Sequence, residues 1–190
     1  RGTALLENDY WQHRIYRWED EILVRIDGVI TLEYRARTEA AIRQMSEISR
    51  RPARILSPGE GKPNFVIEFL NQASFSIRST ETAPCFASST MSEANTIRDV
   101  EIKISLEDPD LVNHCIVHEI FHGFGFIHSD LLRSVVSSLS LETEMTDWDV
   151  IALKTLYDSR LKSGMTRRQA MPIARRLILE HLAKSGMVGK

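Results

Sequence analysis

Four of the six histidines fall in one short stretch, HCIVHEIFHGFGFIH, which runs from His114 to His128. His118 and His122 are four residues apart, so on a helix their side chains project from one face, one turn above the other. Glu119 lies at the rim of that face, where its carboxylate can reach a metal-bound water without being a ligand. The spacing therefore predicts a metal-binding face on a helix, with an acid–base group beside it.

Gly125 and His128 extend this pattern. Gly125 is placed to end the helix in a left-handed conformation that a side chain would resist, after which the chain can turn and bring His128 back. Three imidazoles leave the fourth position of a tetrahedral zinc open for water, which is the arrangement of catalytic rather than structural sites. We therefore predict one catalytic zinc held by His118, His122 and His128. Glu119 is the predicted general base, which takes a proton from water and passes it to the leaving amine.

The motif HEIFHGFGFIH, residues 118–128, resembles the long zinc signature of the metzincin metalloproteases, His-Glu-x-x-His-x-x-Gly-x-x-His. The resemblance implies the same three ligands and the same general base. It also implies a zincin/metzincin-like α+β fold, in which a mixed twisted sheet with an antiparallel, substrate-binding edge strand precedes an active-site helix and C-terminal helices. The stretch MTDWDVIALKTLYDSRLKSGMT, residues 145–166, resembles both the matrixin C-terminal helix and an uncharacterised bacterial metzincin-like family. We favour the bacterial family.

Metzincins place a methionine in a tight turn beneath the zinc, and two residues are candidates for that position here. The matrixin spacing puts it at Val136, whereas a longer loop would put Met145 there. We favour Val136. Because the methionine of the family is not a ligand, its replacement is expected to leave zinc binding intact.

The two cysteines, Cys85 and Cys115, allow two interpretations: buried free thiols or a disulfide. A disulfide would fasten the active-site helix to a preceding strand and fits the order of elements better. It would contribute roughly 3–4 kcal/mol in the loop-entropy description and would imply an oxidising compartment. We predict the disulfide, with the two Cα atoms within about 7 Å.

Two other residues are assigned structural roles. His114, one turn before His118, could line the cleft but is expected to be a surface histidine. Tyr157 is expected in the core rather than as an oxyanion donor.

The elements that must position these residues follow from hydrophobic periodicity. EILVRI (21–26) alternates like a strand, and VITLEY (29–34) is expected to continue it. A helix is expected over 37–51 with Thr38 as its N-cap, and the active-site helix is expected to open near Pro109. Further helix starts are predicted at Thr146 and Thr166, the last for a packed C-terminal helix. Predicted strands follow at NFVIEFL (64–70), SFSIR (74–78), CFASSTM (85–91) and IRDVEIKISL (97–106).

Composition excludes several classes of protein. A hydrophobic fraction of 43% and a charged fraction of 26% are ordinary for a globular chain. A net charge of −2 gives no sign of the excess positive charge that is typical of nucleic-acid-binding proteins. No apolar run approaches the roughly 18 residues of a membrane span, so no transmembrane segment is expected. The 190 residues suit one sizeable core, and we expect an N-terminal arm at 1–20 and a single metzincin-like catalytic domain at 21–190.

Taken together, these features predict a zinc-dependent endopeptidase that acts as a monomer on a protein or peptide substrate. The chain begins at Arg1 without a methionine or a signal-like apolar segment. We interpret that as a removed export signal and expect a periplasmic or secreted protein. The alternative is a catalytically weak or inactive zinc-containing peptide-binding module. Glu119 favours the enzyme, and the valine at the expected methionine position favours the alternative.

Overall fold

The computed structural model of the chain describes residues 14–71 and 83–185. The predicted strand at 74–78 and residues 1–13 of the expected arm lie outside the described residues, and the division into an arm and one catalytic domain stays a prediction. The described elements are, in chain order, β1 (Ile22–Asp27), α1 (Leu32–Ser49), β2 (Ala53–Ile55), β3 (Phe65–Leu70), β4 (Cys85–Met91), β5 (Ile97–Ser105), α2 (Pro109–Gly123), α3 (Asp147–Leu156) and α4 (Arg167–Ser185).

The five described strands form one mixed sheet in the order β2-β1-β3-β5-β4. β1 pairs in parallel with both β2 and β3, and β3 pairs in parallel with β5. β4 runs antiparallel to β5 at the edge of the sheet, with Cys85 opposite Ile104. The predicted α+β class, with an antiparallel edge strand, a helix that carries the histidine motif and C-terminal helices, is confirmed.

The core lies between this sheet and the helices α1 and α2. Ile22, Val24 and Ile26 of β1 are buried in strict alternation, as the sequence pattern predicted. On the other side of the interface, α2 buries Ile116 and Ile120 while packing against α1, β4 and β5. Full burial of such a side chain contributes about 1.5–3 kcal/mol. The sheet therefore holds α2 in place along much of its length.

The prediction for residues 29–38 was wrong in two respects. Residues 29–34 do not continue β1, because α1 begins at Leu32 with Thr31 as its N-cap, whose side chain accepts a hydrogen bond from the backbone N–H of Tyr34. Thr38 is therefore not the cap but a buried residue inside α1, where its hydroxyl donates to the Tyr34 carbonyl at 2.7 Å. The apolar alternation that suggested a strand was misleading, since Leu32 is 87% exposed.

The start of α2 follows the prediction. The Asp108 side chain caps it by accepting from the backbone N–H of Asp110, and Pro109 occupies the first turn, where its missing N–H costs nothing.

The end of α2 is fixed by close packing and by a glycine. A Cβ added at Gly123 would lie 2.5 Å from the Phe65 ring, so only glycine lets the helix approach the sheet this closely. Gly125 has φ +101°, the left-handed region that the sequence predicted for it, and a Cβ there would lie 2.7 Å from the carbonyl oxygen of Tyr16.

The segment before β1 packs against the end of α2. The indole N–H of Trp18, which is fully buried, donates to the Gly123 carbonyl at 2.8 Å. The Tyr157 hydroxyl donates to the Phe124 carbonyl at 2.9 Å, and Tyr157 is buried in the core as expected. Two carbonyls that the helix end leaves unpaired are thereby satisfied.

Candidate metal centre

Three imidazoles converge at the end of α2. The ring centroids of His118 and His122 are 4.6 Å apart, and that of His128 lies 5.3 Å from the first and 4.7 Å from the second. One nitrogen of each ring lies within 4.8 Å of the other two. His118 is buried, His122 half-buried and His128 exposed, so the cluster opens to solvent on the side of His128. Gly125 allows this convergence because it turns the chain between the second and third histidines.

Hydrogen bonds fix which nitrogens of the first two rings face the cluster. Nδ1 of His118 lies 2.7 Å from the carbonyl oxygen of Val135, and Nδ1 of His122 lies 2.8 Å from that of Phe126. Because a carbonyl only accepts, both Nδ1 atoms carry the hydrogen, and each neutral ring then presents a lone pair at Nε2. These two Nε2 atoms are 3.0 Å apart. Two facing lone pairs repel unless a cation lies between them, and imidazole nitrogens in this tautomer suit zinc.

Burial keeps these imidazoles in the form that binds metal. It lowers the pKa of His118 to about 3, with a further contribution from the charge of His122, and lowers the pKa of His122 to about 4. The pKa of His128 is also lowered by burial. At neutral pH all three rings are therefore uncharged, so that a metal ion need not displace protons from them.

Glu119 lies beside this face on α2 and is almost completely buried. Burial raises the pKa of its carboxyl group to about 8, because the low-dielectric surroundings disfavour the charged form. A nearby cation would favour the carboxylate and lower that pKa. A carboxyl group whose ionisation depends on a neighbouring charge suits proton transfer near neutral pH.

The sequence predicted only a helix start at Thr146 for the segment that contains Asp149, yet this carboxylate supports the site from behind. It accepts hydrogen bonds from the backbone N–H and hydroxyl of Thr146, both at 2.8 Å, and from the Ser134 hydroxyl at 2.7 Å. It also accepts from the backbone N–H of Val135, whose carbonyl holds His118. Val135 thus links the two residues, because its N–H binds Asp149 and its carbonyl binds His118.

The two candidates for the position beneath the metal lie in different places. Val136 is buried, and its carbonyl oxygen accepts a hydrogen bond from the backbone N–H of Ser129, the residue after His128. Its neighbour Val135 contacts His118 as described. Met145 is half-buried and packs at the edge of the core, just before α3. The assignment of Val136 to that position stays a prediction.

The two cysteines form a disulfide between β4 and α2, as predicted, with Cα atoms 5.9 Å apart. Cys115 lies one turn before His118, so the bond ties the edge strand to the helix that carries the histidine pair. A disulfide is compatible with an extracellular or periplasmic location.

Comparison with known proteins places the chain in a family. Residues 4–176 match the family described as protein of unknown function (DUF2927), and the chain belongs to it. The crystal structure of archaemetzincin from Methanopyrus kandleri is similar to this chain with a TM-score of 0.39 and 17% sequence identity. The alignment covers 83% of this chain and 96% of archaemetzincin. No curated protein sequence matches the chain. Among the described residues, no helix combines the length and apolar character that crossing a membrane requires.

Proposed function

We propose that this protein is a zinc-dependent endopeptidase, with His118, His122 and His128 as the ligands. The observation that carries the proposal is the pair of Nε2 atoms 3.0 Å apart, whose Nδ1 partners are both engaged by backbone carbonyls. Rings held this way can present only lone pairs to the cluster in their neutral form, which suits a cation. The third imidazole, His128, joins the cluster on its exposed side and would supply the third ligand.

Bound zinc would supply a Lewis acid that polarises the scissile carbonyl and makes a coordinated water acidic. Glu119 would accept the proton of that water and then donate it to the nitrogen of the leaving amine, so that the C–N bond breaks without expelling an amide anion. Burial raises the pKa of the Glu119 carboxyl group and a bound cation would lower it, so that the carboxylate could accept the proton and the acid could then give it up again. The carbonyls of Val135 and Phe126 would keep the ligand rings oriented throughout.

The substrate would be an extended peptide that adds to the edge of the sheet. β4 is the edge strand of the described sheet and runs antiparallel to β5. Its residues Ser89 and Thr90 are exposed. A peptide paired with such an edge is held by main-chain hydrogen bonds while its side chains alternate between the two faces. The disulfide fixes this strand relative to α2, so that a bound chain would cross the metal centre in a constant register.

The disulfide supports a periplasmic or secreted location, since such bonds persist in oxidising compartments. We further propose that the protein acts as a monomer. A second candidate function is a zinc-containing peptide-binding module with little or no turnover, and it rests on the prediction that Val136, rather than Met145, occupies the position where the resemblance places methionine.

Metal analysis and peptide cleavage test the proposal together. The protein is expected to contain one zinc per chain and to cleave members of a peptide library in a reaction that a chelator abolishes. Glu119→Gln serves as the matched control, because the amide keeps the shape of the side chain but cannot accept the proton. One bound zinc without chelator-sensitive cleavage would leave the binding module as the better account, and absence of zinc uptake would refute both.

A further inference from the structure

The C-terminal helix α4 packs on the rest of the chain through one face. Its buried residues are Ala170 and Leu177, which form a small apolar cluster with Leu161, separate from the main core. Ala170 and Leu177 are seven residues apart, or about two turns, so they lie on the same side of the helix. The opposite side of α4 therefore faces away from the core.

That opposite side, which we call the α4 outer face, consists of exposed residues: Arg168, Pro172, Arg175 and Leu179. Because a helix turns about 100° per residue, Arg168 lies about 200° around the axis from the buried Ala170. Leu179 lies one turn beyond Arg175 and is 65% exposed. The outer face is thus a straight stripe about 16 Å long that combines basic and apolar side chains.

Nearby carboxylates do not neutralise the charge of the α4 outer face. The helix carries five basic side chains and one acidic side chain, although the whole chain has a net charge of −2. The acidic residue, Glu180, is engaged with Arg160, whose guanidinium donates to its two carboxylate oxygens at 3.0 and 2.8 Å. Within residues 14–71 and 83–185, no carboxylate forms an ion pair with the arginines of α4, which are Arg167, Arg168, Arg175 and Arg176. The electrostatic complement of this face is therefore an anionic surface.

Leu179 distinguishes between the anionic surfaces that this face could bind. Nucleic acids are held by basic groups and, when single-stranded, by stacking on aromatic rings, which the sequence of α4 lacks. The surface of an anionic bilayer offers phosphate groups that pair with guanidinium groups, and acyl chains that accept an apolar side chain. Helices that lie in the plane of a membrane combine basic and apolar residues in this way.

We propose that the α4 outer face docks the protein on the surface of a membrane that contains anionic phospholipids. Arg168 and Arg175 contact the lipid phosphates, and Leu179 inserts between the acyl chains while α4 lies parallel to the bilayer. The inference goes beyond the proposed peptidase function and does not depend on it. Each arginine close to such a surface strengthens binding roughly 5-fold.

Co-sedimentation of the full chain with lipid vesicles tests the proposal. One set of vesicles contains phosphatidylcholine alone, and the other contains phosphatidylcholine and phosphatidylglycerol in equal parts. The parent should sediment with the second set only, and raising the salt from about 0.1 M to about 1 M should release it, because the Debye length falls from about 10 Å to 3 Å. Arg168→Gln combined with Arg175→Gln should weaken the partition coefficient roughly 10- to 30-fold.

The matched control removes two arginines from other elements. Arg43 of α1 and Arg98 of β5 are exposed and form surface ion pairs with Glu39 and Asp20. Arg43→Gln combined with Arg98→Gln changes the net charge by the same amount and should bind vesicles within about 5-fold of the parent. Thermal unfolding of both double variants verifies that they are folded. If the α4 variant binds as tightly as this control, the α4 outer face is not the docking site.

A fluorescent label tests the insertion of Leu179 separately. Because Cys85 and Cys115 are bonded to each other, Leu179→Cys provides a single reactive thiol for an environment-sensitive dye. The emission of this dye should shift to the blue on phosphatidylglycerol vesicles, whereas the same dye on Arg43→Cys should not respond. Sedimentation without a shift at position 179, equal binding to both kinds of vesicle, or binding to neither overturns the proposal. Binding to double-stranded DNA in place of the vesicles also overturns it.

Discussion

Replacing Asp149 tests whether the metal site depends on a residue that is not a ligand. The carboxylate is buried and receives hydrogen bonds from Ser134, from the N–H of Val135 and from both the N–H and the hydroxyl of Thr146. Asp149→Ala leaves the buried N–H of Val135 without an acceptor and removes the capping interaction at the start of α3. These two losses are worth about 1–3 kcal/mol and about 1 kcal/mol respectively. We therefore expect the free energy of unfolding to fall by about 2–4 kcal/mol.

The same substitution is expected to weaken zinc binding, because the Val135 carbonyl that orients His118 belongs to the peptide segment that Asp149 holds. Loss of such an outer contact typically costs 10- to 100-fold in metal affinity, which corresponds to about 1.4–2.8 kcal/mol. Asp149→Asn should be milder in both respects, since one carbonyl oxygen remains to accept hydrogen bonds.

Denaturant unfolding and competition for zinc with a chromophoric chelator measure the two effects separately. Asp147→Ala is the matched control, because Asp147 lies in the same first turn of α3 but is exposed, and its removal should cost at most about 1 kcal/mol. If Asp149→Ala is no less stable than Asp147→Ala, the reasoning about burial is wrong. If stability falls while zinc affinity stays at the parent value, Asp149 caps α3 and does not position His118.

Three further outcomes are expected. Glu119→Gln should retain one zinc and lose most hydrolysis, whereas His122→Ala should lose metal and activity together. Metal analysis alongside peptide cleavage distinguishes the two variants. If the glutamine variant cleaves peptides at the parent rate, Glu119 is not the base. Thiol titration of the denatured, unreduced protein should find no free thiol from Cys85 or Cys115, and replacing both by serine should lower the free energy of unfolding by roughly 3–4 kcal/mol. Finally, the pKa values of about 3 for His118 and about 4 for His122 predict acid sensitivity of the metal-free protein. Below about pH 6.5 these imidazoles are protonated in the unfolded chain but stay neutral in the folded chain. The free energy of unfolding should therefore fall as the pH is lowered from about 6.5 to 4. Each imidazole contributes a slope of about 1.4 kcal/mol per pH unit. Glu119, whose pKa is raised from 4.5 to about 8, holds a proton in the folded chain and offsets one of them above pH 4.5, so the expected net slope there is about 1.4 kcal/mol per pH unit. Stability that stays constant over this range would contradict the assignment.

Local patterns in the sequence predicted the fold where burial and periodicity agree. Residues 85–91 form the strand that their sequence suggested, and the helix starts at Pro109 and Thr146 follow from proline and capping chemistry. The start of α1 was missed because Leu32 continues an apolar alternation although it faces solvent, so that Thr31, which caps the helix, was assigned to a strand.

The histidine cluster was predictable because helix geometry brings His118 and His122 to one face and a glycine turn at Gly125 returns the chain to bring in His128. The groups that orient these histidines could not be predicted from the sequence. The carbonyl of Val135 acquires its role from a contact across 17 residues of chain, and Asp149 binds Val135 across 14. Backbone carbonyls carry no residue-type signature, so only the folded structure reveals which of them faces an imidazole.

The position of β4 at the edge of the sheet has a consequence for the kind of target this protein could attack. A chain that pairs with the seven residues of β4 has to be extended over about 23 Å, and it cannot form its own helix or sheet there at the same time. On the proposed function, the rate of attack on a native protein would then follow the free energy of locally unfolding such a stretch. Stably folded proteins would be spared whatever their sequence, whereas damaged, incompletely folded or naturally unstructured chains would be degraded first.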